Sequence, residues 1–163
     1  MKIVDFRPEH YKEIEDVYSE PGLSDILFSQ AEQMEAMSKL GPCWTFMTDD
    51  SRVIGCIGMI MLWQGVGQAW AVFSPLIKEY GIAVSRATKR LISWAFAEYS
   101  LDRLQVIVLP EEEKNIEWAW FLGFEEEGIA RRLVYGKDFL VMSIVREGWE
   151  DERSAYAVRN GHS

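Results

Sequence analysis

A short alternating run over residues 2–7 is closed by Pro8, after which Tyr11, Ile14, Val17 and Tyr18 recur at helical spacing. The alternation predicts a strand, the three-to-four-residue period predicts a helix, and Pro21-Gly22 ends it. Ser24 or Asp25 can cap a second helix, whose apolar stripe is Leu27, Ala31, Met34, Met37 and Leu40 before Gly41-Pro42. The period then shortens to two. Residues 43–48 and 53–63 read as a hairpin around Asp49-Asp50-Ser51, and residues 68–73 read as a third strand after Gly65-Val66-Gly67.

Ser74-Pro75 stops that strand, because proline has no N–H for the ladder. A long helix over residues 82–99 follows, with Val84, Ala87, Thr88, Leu91, Ala95 and Tyr99 on its inner stripe. Residues 104–109 form a strand. Pro110 and Glu111, Glu112 and Glu113 suit the positive end of a further helix, which buries Ile116, Ala119, Trp120 and Phe121 or Leu122 and stops at Gly123. Strands over 127–135 and 138–145 turn at Gly136-Lys137.

The order β, α, α, β, β, β, α, β, α, β, β predicts an α/β fold of the α+β mixed-sheet kind, a central mixed sheet with helices on both faces. The chain has 163 residues, 48% of them apolar, enough for one domain over residues 1–146 with a polar, frayed tail over 147–163. The formal charge of −9 opposes attraction to phosphate backbones or anionic lipid, so neither nucleic acid nor membrane is an expected partner. Arg86, Lys89 and Arg90 read as a solvated helix face. Cys43 and Cys56 lack CxxC spacing, which gives no disulfide framework and no thiolate metal site. The start at Met1 has no signal-peptide character, and the longest apolar run, residues 53–63, is too short to span a bilayer, so a cytoplasmic location is expected. Dinucleotide, P-loop, zinc-protease and serine-hydrolase fingerprints do not occur in the sequence.

A strand ended by proline and followed by a helix presents amide groups suited to a phosphate. The stretch over residues 75–83 has that form, with Lys78 as a nearby cation and Gly81 and Ala83 as small residues that let a ligand approach. An ordinary connection with glycine at a turn reads the same way. His10, beside Pro8 at a helix start, reads as a local capping or surface group. Of the aromatic residues, Trp70, Trp94 and Trp120 are expected in the core, and Trp63 and Trp118 are placed to face a partner.

Pro75, Lys78, Gly81 and Ala83, together with Leu122-Gly123-Phe124, resemble signatures of the Gcn5-related N-acetyltransferase superfamily, including its diverged members in tailed phages or prophages. The likeness in element order covers residues 1–145. The resemblance implies an acyl-CoA N-acyltransferase-like fold and acetyl-CoA or coenzyme A as cofactor. It places the pyrophosphate on the backbone of Lys78, Gly81, Ile82, Ala83 and Val84, and the pantetheine arm on Ala71, Val72 and Phe73 in a wedge between splayed strands. It further implies transfer of an acetyl group to a primary amine of a small molecule or protein by direct attack. The amide of Val72 or Phe73 would stabilise the oxyanion, with Glu20, Asp25 or Glu127 accepting the proton.

The sequence departs from the pattern in three places. Glu79 stands where glycine is common, Glu112 where the family commonly has asparagine, and Ala119 where it has a tyrosine able to protonate the leaving thiolate. A catalytically inactive interaction or structural module on the same fold is therefore the alternative. The aromatic surplus leaves room for an oligomeric surface, such as a homodimer.

Overall fold

The computed structural model describes residues 1–15 and 31–146. Along the chain run β1 (Lys2–Asp5), α1 (Pro8–Glu15), α2 (Ala31–Ser38), β2 (Cys43–Met47), β3 (Val53–Trp63), β4 (Val66–Phe73), α3 (Ile77–Glu98), β5 (Arg103–Val108), α4 (Glu113–Leu122), β6 (Glu125–Val134) and β7 (Lys137–Val145). The expected C-terminal tail, and the part of the second helix before Ala31, lie outside the described residues.

The strands form a seven-stranded sheet in the order β1-β2-β3-β4-β5-β7-β6. Only β4 and β5 pair in parallel; the other neighbours are antiparallel. A parallel pair cannot be joined by a tight turn, and α3 is the crossover between the two strands.

Helices cover both faces. Against one face, Tyr11, Ile14 and Met34 from α1 and α2 pack on Met47, Val53, Cys56, Trp70 and Val72. Against the other, Val84 and Ala87 of α3 pack on Phe46, Ile54 and Ile57. On that same side, Ile116, Ala119 and Leu122 of α4 join Leu104, Val108, Leu140 and Met142. Leu104 and Met142 are almost fully enclosed, and each side chain contributes about 1.5–3 kcal/mol by leaving water.

The glycine at the end of α4 behaves as its sequence suggests. Gly123 has φ 104°, and its N–H donates to Trp120 O while Phe124 N–H donates to Ala119 O. That pair of bonds caps the helix, and buried Phe124 supplies the apolar contact that accompanies it.

Several expectations shift. The long helix begins at Ile77, five residues before the expected start, with Leu76 at its N-cap in an αR conformation and no side-chain cap. Ser74 and Pro75, which stop the strand, also lead into the helix, with Ser74 Oγ accepting Leu76 N–H at 3.3 Å. On α4, Trp120 is 53% exposed and Phe121 is 50% exposed, because Ile116, Ala119 and Leu122 already fill the inner stripe. Trp94 is also largely exposed, as is Leu40 at the end of the expected second-helix stripe.

Candidate active site

The parallel pairing of β4 with β5 is short. Its register runs Val66 with Arg103, Gly67 with Leu104 and Gln68 with Gln105, and then stops, although β4 continues to Phe73 and β5 to Val108. The two strands therefore splay towards their C-terminal ends. Ala69 and Ala71 have only methyl groups, so they do not fill the gap from the β4 side.

The β3–β4 ladder fixes which backbone groups look into this wedge. Ser74 N–H donates to Ile54 O, and the register pairs Cys56 with Val72 and Ile57 with Ala71. Hydrogen-bonded and non-bonded pairs alternate in an antiparallel ladder, so Val72 exchanges its bonds with Cys56, while Ala71 and Phe73 turn their N–H and C=O towards β5. Ala69 N–H closes the last parallel bridge, on Gln105 O, and beyond it Ala71 and Phe73 have no strand partner on that side among the described residues. Val72, expected to share the oxyanion role, has its amide committed to β3 and its side chain buried against α1 and α2. The amide in the right orientation is that of Phe73.

The closed end of the wedge is stapled by polar side chains. Gln105 Nε2 donates to Gln68 Oε1 at 3.0 Å, and Arg103 Nε donates to Gln105 Oε1 at 3.0 Å. Arg103 Nη1 also donates to Glu127, which accepts a further bond from Ser143 Oγ. The Arg103 guanidinium and the Ser143 hydroxyl hold the Glu127 carboxyl below its ordinary range. Five residues of strand separate Gln68 from Phe73, about 16 Å at 3.3 Å per residue. Glu127 is thus an ion-paired structural carboxylate at the far end, correcting the expectation that it accepts the acceptor's proton. Glu20 and Asp25, its companions in that expectation, lie outside the described residues.

The expected phosphate loop is helix. Lys78, Gly81, Ile82, Ala83 and Val84 all belong to the first two turns of α3, so the amides of Gly81 to Val84 are spent on intrahelical bonds. The Val84 side chain is fully buried. Even the first-turn amides are engaged: Ile77 N–H donates to Ser74 O, Lys78 N–H to Pro75 O and Glu79 N–H to Leu76 O, at 3.0–3.2 Å. The sequence resemblance had mapped these small residues onto a loop. Here their smallness opens a surface instead, since a Cβ added to Gly81 would meet nothing within 4 Å.

That surface is one wall of a cleft of about 340 Å³ lined by Gly81, Ile82, Ser85, Arg86, Trp118 and Phe121. It lies between the start of α3 and α4, on the helix side of the wedge. The exposed Arg86 and Lys89 put positive charge near it, with Lys89 Nζ 3.9 Å from the Phe121 ring centroid. Trp118 also lines the cleft; its ring meets Phe73 edge-on at 5.3 Å and its Nε1 donates to Ser85 Oγ at 2.9 Å. Trp118, expected to face a partner, instead packs across the wedge. Ala119, at the usual tyrosine position, is buried and offers no proton.

His10 sits elsewhere, beside a second cavity of about 350 Å³ lined by Lys2, Val4, Asp5, Arg7, His10 and Met47 at the β1 edge of the sheet. Its Nδ1 accepts Arg7 N–H at 3.2 Å and lies 2.9 Å from Thr45 Oγ1. The Arg7 bond leaves Nδ1 without a proton, so the Thr45 hydroxyl is the donor to it, and Cys56 S–H can donate in turn to Thr45 Oγ1 at 3.5 Å. Burial, and then Arg7, lower the imidazole pKa. Burial also pushes the Cys56 thiol up to about 12, which makes it a packing group and no nucleophile. Among the described residues, no group of three or more His, Cys, Asp or Glu side chains could hold a metal, and no helix is long and apolar enough to cross a membrane.

No family model and no curated protein sequence matches the chain. Solved structures do. A variant of the spermidine N-acetyltransferase of Vibrio cholerae superposes with a TM-score of 0.70 at 13% identity, covering 94% of this chain and 99% of that one. The ribosomal-protein-S5-alanine acetyltransferase of Vibrio fischeri gives 0.67 at 19% identity, over 90% and 93% of the two chains. The Vibrio cholerae spermidine enzyme in complex with CoA and spermine gives 0.67 at 14% identity, over 88% and 94%. The fold is that of the Gcn5-related N-acetyltransferases, a mixed seven-stranded sheet with helices on both faces.

Proposed function

We propose that the protein is an acyl-CoA-dependent N-acyltransferase, with acetyl-CoA the donor and a primary amine the acceptor. The observation that carries this reading is the splay of β4 from β5 after Gln68 and Gln105, which leaves the β5-facing amide and carbonyl groups of Ala71 and Phe73 without a strand partner. An extended pantetheine arm, with two amides of its own, is the kind of substrate that completes such an edge. The likeness in fold to a structure that holds CoA and spermine supports the same choice.

In this reading, the pantetheine arm lies along Ala71 and Phe73. The phosphates are drawn to the cleft by Arg86 and Lys89, and their contact with the start of α3 is through Lys78 and the open face at Gly81, Ile82 and Ala83. The acceptor nitrogen attacks the thioester carbonyl, a C–N bond forms, the C–S bond breaks, and the sulfur leaves as CoA thiolate. Phe73 N–H stabilises the negative charge that develops on the carbonyl oxygen. Ala119 cannot protonate the thiolate, so that proton comes from solvent, and the ammonium proton passes to water or to Glu20 or Asp25.

Calorimetric titration with CoA and acetyl-CoA, followed by a thiol-release assay over a panel of primary amines, tests the proposal. Micromolar binding together with amine-dependent thiol release supports it, and no binding at millimolar acetyl-CoA rules it out. One feature favours a second reading, a non-catalytic module on this fold: the Trp118 ring lies against Phe73 in the wedge, next to an alanine where an acid is expected. Binding of CoA without thiol release for any amine would favour that module.

A further inference from the structure

Two hydrophobic clusters lie under α3 and α4, one beneath β2, β3 and β4 and the other beneath β5 and β7. The splay of β4 from β5 runs between them. Among the described residues, Trp118 is the side chain that packs against both, so it bridges the gap that the strands leave open. Its position is fixed from two sides. The ring edge rests on Phe73, at the end of β4, and the indole N–H is held by Ser85 of α3, whose own hydroxyl donates to Gly81 O at 2.6 Å. These contacts join α4 to α3 across the cleft lined by Gly81, Ile82, Ser85, Arg86 and Phe121.

We propose that Trp118 is a side-chain plug that occupies the path between the α3–α4 cleft and the wedge, and that the donor's pantetheine arm enters only when the indole swings off Phe73 and Ser85. This inference rests on the acyl-CoA reading above and adds a closed resting state to it. The indole need not travel far, because the cleft beside it has room and its walls at Gly81 and Ile82 are open to solvent. The swing gives up one hydrogen bond and one edge-on aromatic contact. Apparent affinity for any ligand that needs the open state falls by the fraction of molecules that are open. Ligands that use only the cleft bind without that opening, so this fraction does not reduce their affinity.

The test compares CoA with adenosine 3′,5′-bisphosphate, which lacks the pantetheine arm, by calorimetry on the wild-type protein, Trp118→Ala and Ser85→Ala. Melting curves confirm that each variant is folded, and Ser85→Ala, which removes the latch hydrogen bond and the Ser85 bond to Gly81 O but leaves the indole in place, keeps the test valid if Trp118→Ala does not fold. The plug predicts CoA affinity raised about ten-fold or more by Trp118→Ala, the equivalent of roughly 1.4 kcal/mol. It predicts a several-fold rise for Ser85→Ala, and for the bisphosphate, whose cleft both residues line, a change in each variant well below that for CoA. Equal CoA affinity in the three proteins, or weaker binding by the variants, overturns the plug while leaving the acyl-CoA reading standing. Absence of CoA binding in all three overturns both.

Discussion

Gln105 donates from Nε2 to Oε1 of Gln68 at 3.0 Å, at the last register where β4 and β5 pair. Beyond it the strands separate, so this bond marks the apex of the wedge. Gln105 in turn accepts from Arg103, and Arg103 is paired with Glu127, so a single polar chain ties β4, β5, β6 and β7 at the closed end. Both glutamine side chains are partly buried, and removing one leaves the other's amide short of a partner. Gln68→Ala is expected to cost about 1 kcal/mol, and Gln105→Ala more because it breaks two bonds. Urea unfolding of the two single variants and the double variant measures the coupling, and additive effects would show that the staple carries no energy.

The Glu127 carboxyl sits below its usual range because Arg103 and Ser143 bind its charged form. A group whose folded pKa is depressed stabilises the fold above its unfolded pKa, near 4.3 for glutamate, and that contribution is lost as pH falls through the lower folded value. Glu127→Gln is therefore expected to be less stable than wild type at pH 6, with the difference shrinking as pH drops through the folded pKa. Melting temperatures from pH 6 to pH 3 check this. A gap that is constant with pH would mean that the charge contributes nothing. Glu127 is partly exposed, so solvent screening keeps the effect modest.

His10 titrates in the opposite charge sense with the same stability sign. Its folded pKa is lowered by burial and by Arg7, so the unfolded chain binds the proton more readily. Stability is fully present above the unfolded pKa of about 6.5 and is lost as pH falls through the folded value. Between pH 7.5 and pH 5, wild type is expected to lose stability that His10→Asn does not lose. Following the ring resonances by NMR over the same range gives the pKa directly, and a value at or above 6.5 would contradict the burial account.

Two glycines separate packing from conformational freedom. A Cβ on Gly58 would lie 2.5 Å from Trp70 Cζ2 and 2.7 Å from Cys43 Cβ, whereas one on Gly81 meets nothing. Gly58→Ala overpacks the sheet against Trp70 and is expected to cost about 1–3 kcal/mol. Gly81→Ala lies inside α3 and is expected to stabilise by about 0.5–1 kcal/mol through helix propensity. Thermal unfolding of the pair checks both signs. Destabilisation by Gly81→Ala would place that residue outside a helix.

Element order and type were legible in the sequence because period and punctuation are local. Tyr11 and Ile14, Val84 and Ala87, and the Leu122-Gly123-Phe124 end of α4 occupy the places their spacing requires. Features that depend on partners were not. Gly81 looks like a loop residue in one dimension, yet a helix tolerates glycine when Leu76 and Ile77 pack beneath its start. Trp118 and Trp120 are two residues apart on one helix, so they point to different sides, and composition alone cannot say which is inside. The chain from Ser143 through Glu127 and Arg103 to Gln68 joins residues far apart in sequence, and only the order of strands in the sheet brings them together. The length of the β4–β5 pairing has no sequence signal of its own, since both strands keep their character past the point where they part.

If the β5-facing edge of β4 binds the donor as proposed, amide hydrogen exchange followed residue by residue by NMR reports it. Without ligand, the amides of Ala71 and Phe73 are expected to exchange faster than that of Val72, which pairs with Cys56. With saturating CoA, Ala71 and Phe73 are expected to slow by at least about ten-fold, the mark of roughly 1.4 kcal/mol of protection, while Val72 stays as it was. Ala71 and Phe73 amides that exchange at the same rate with and without bound CoA would place the donor elsewhere and rule out this edge as its site.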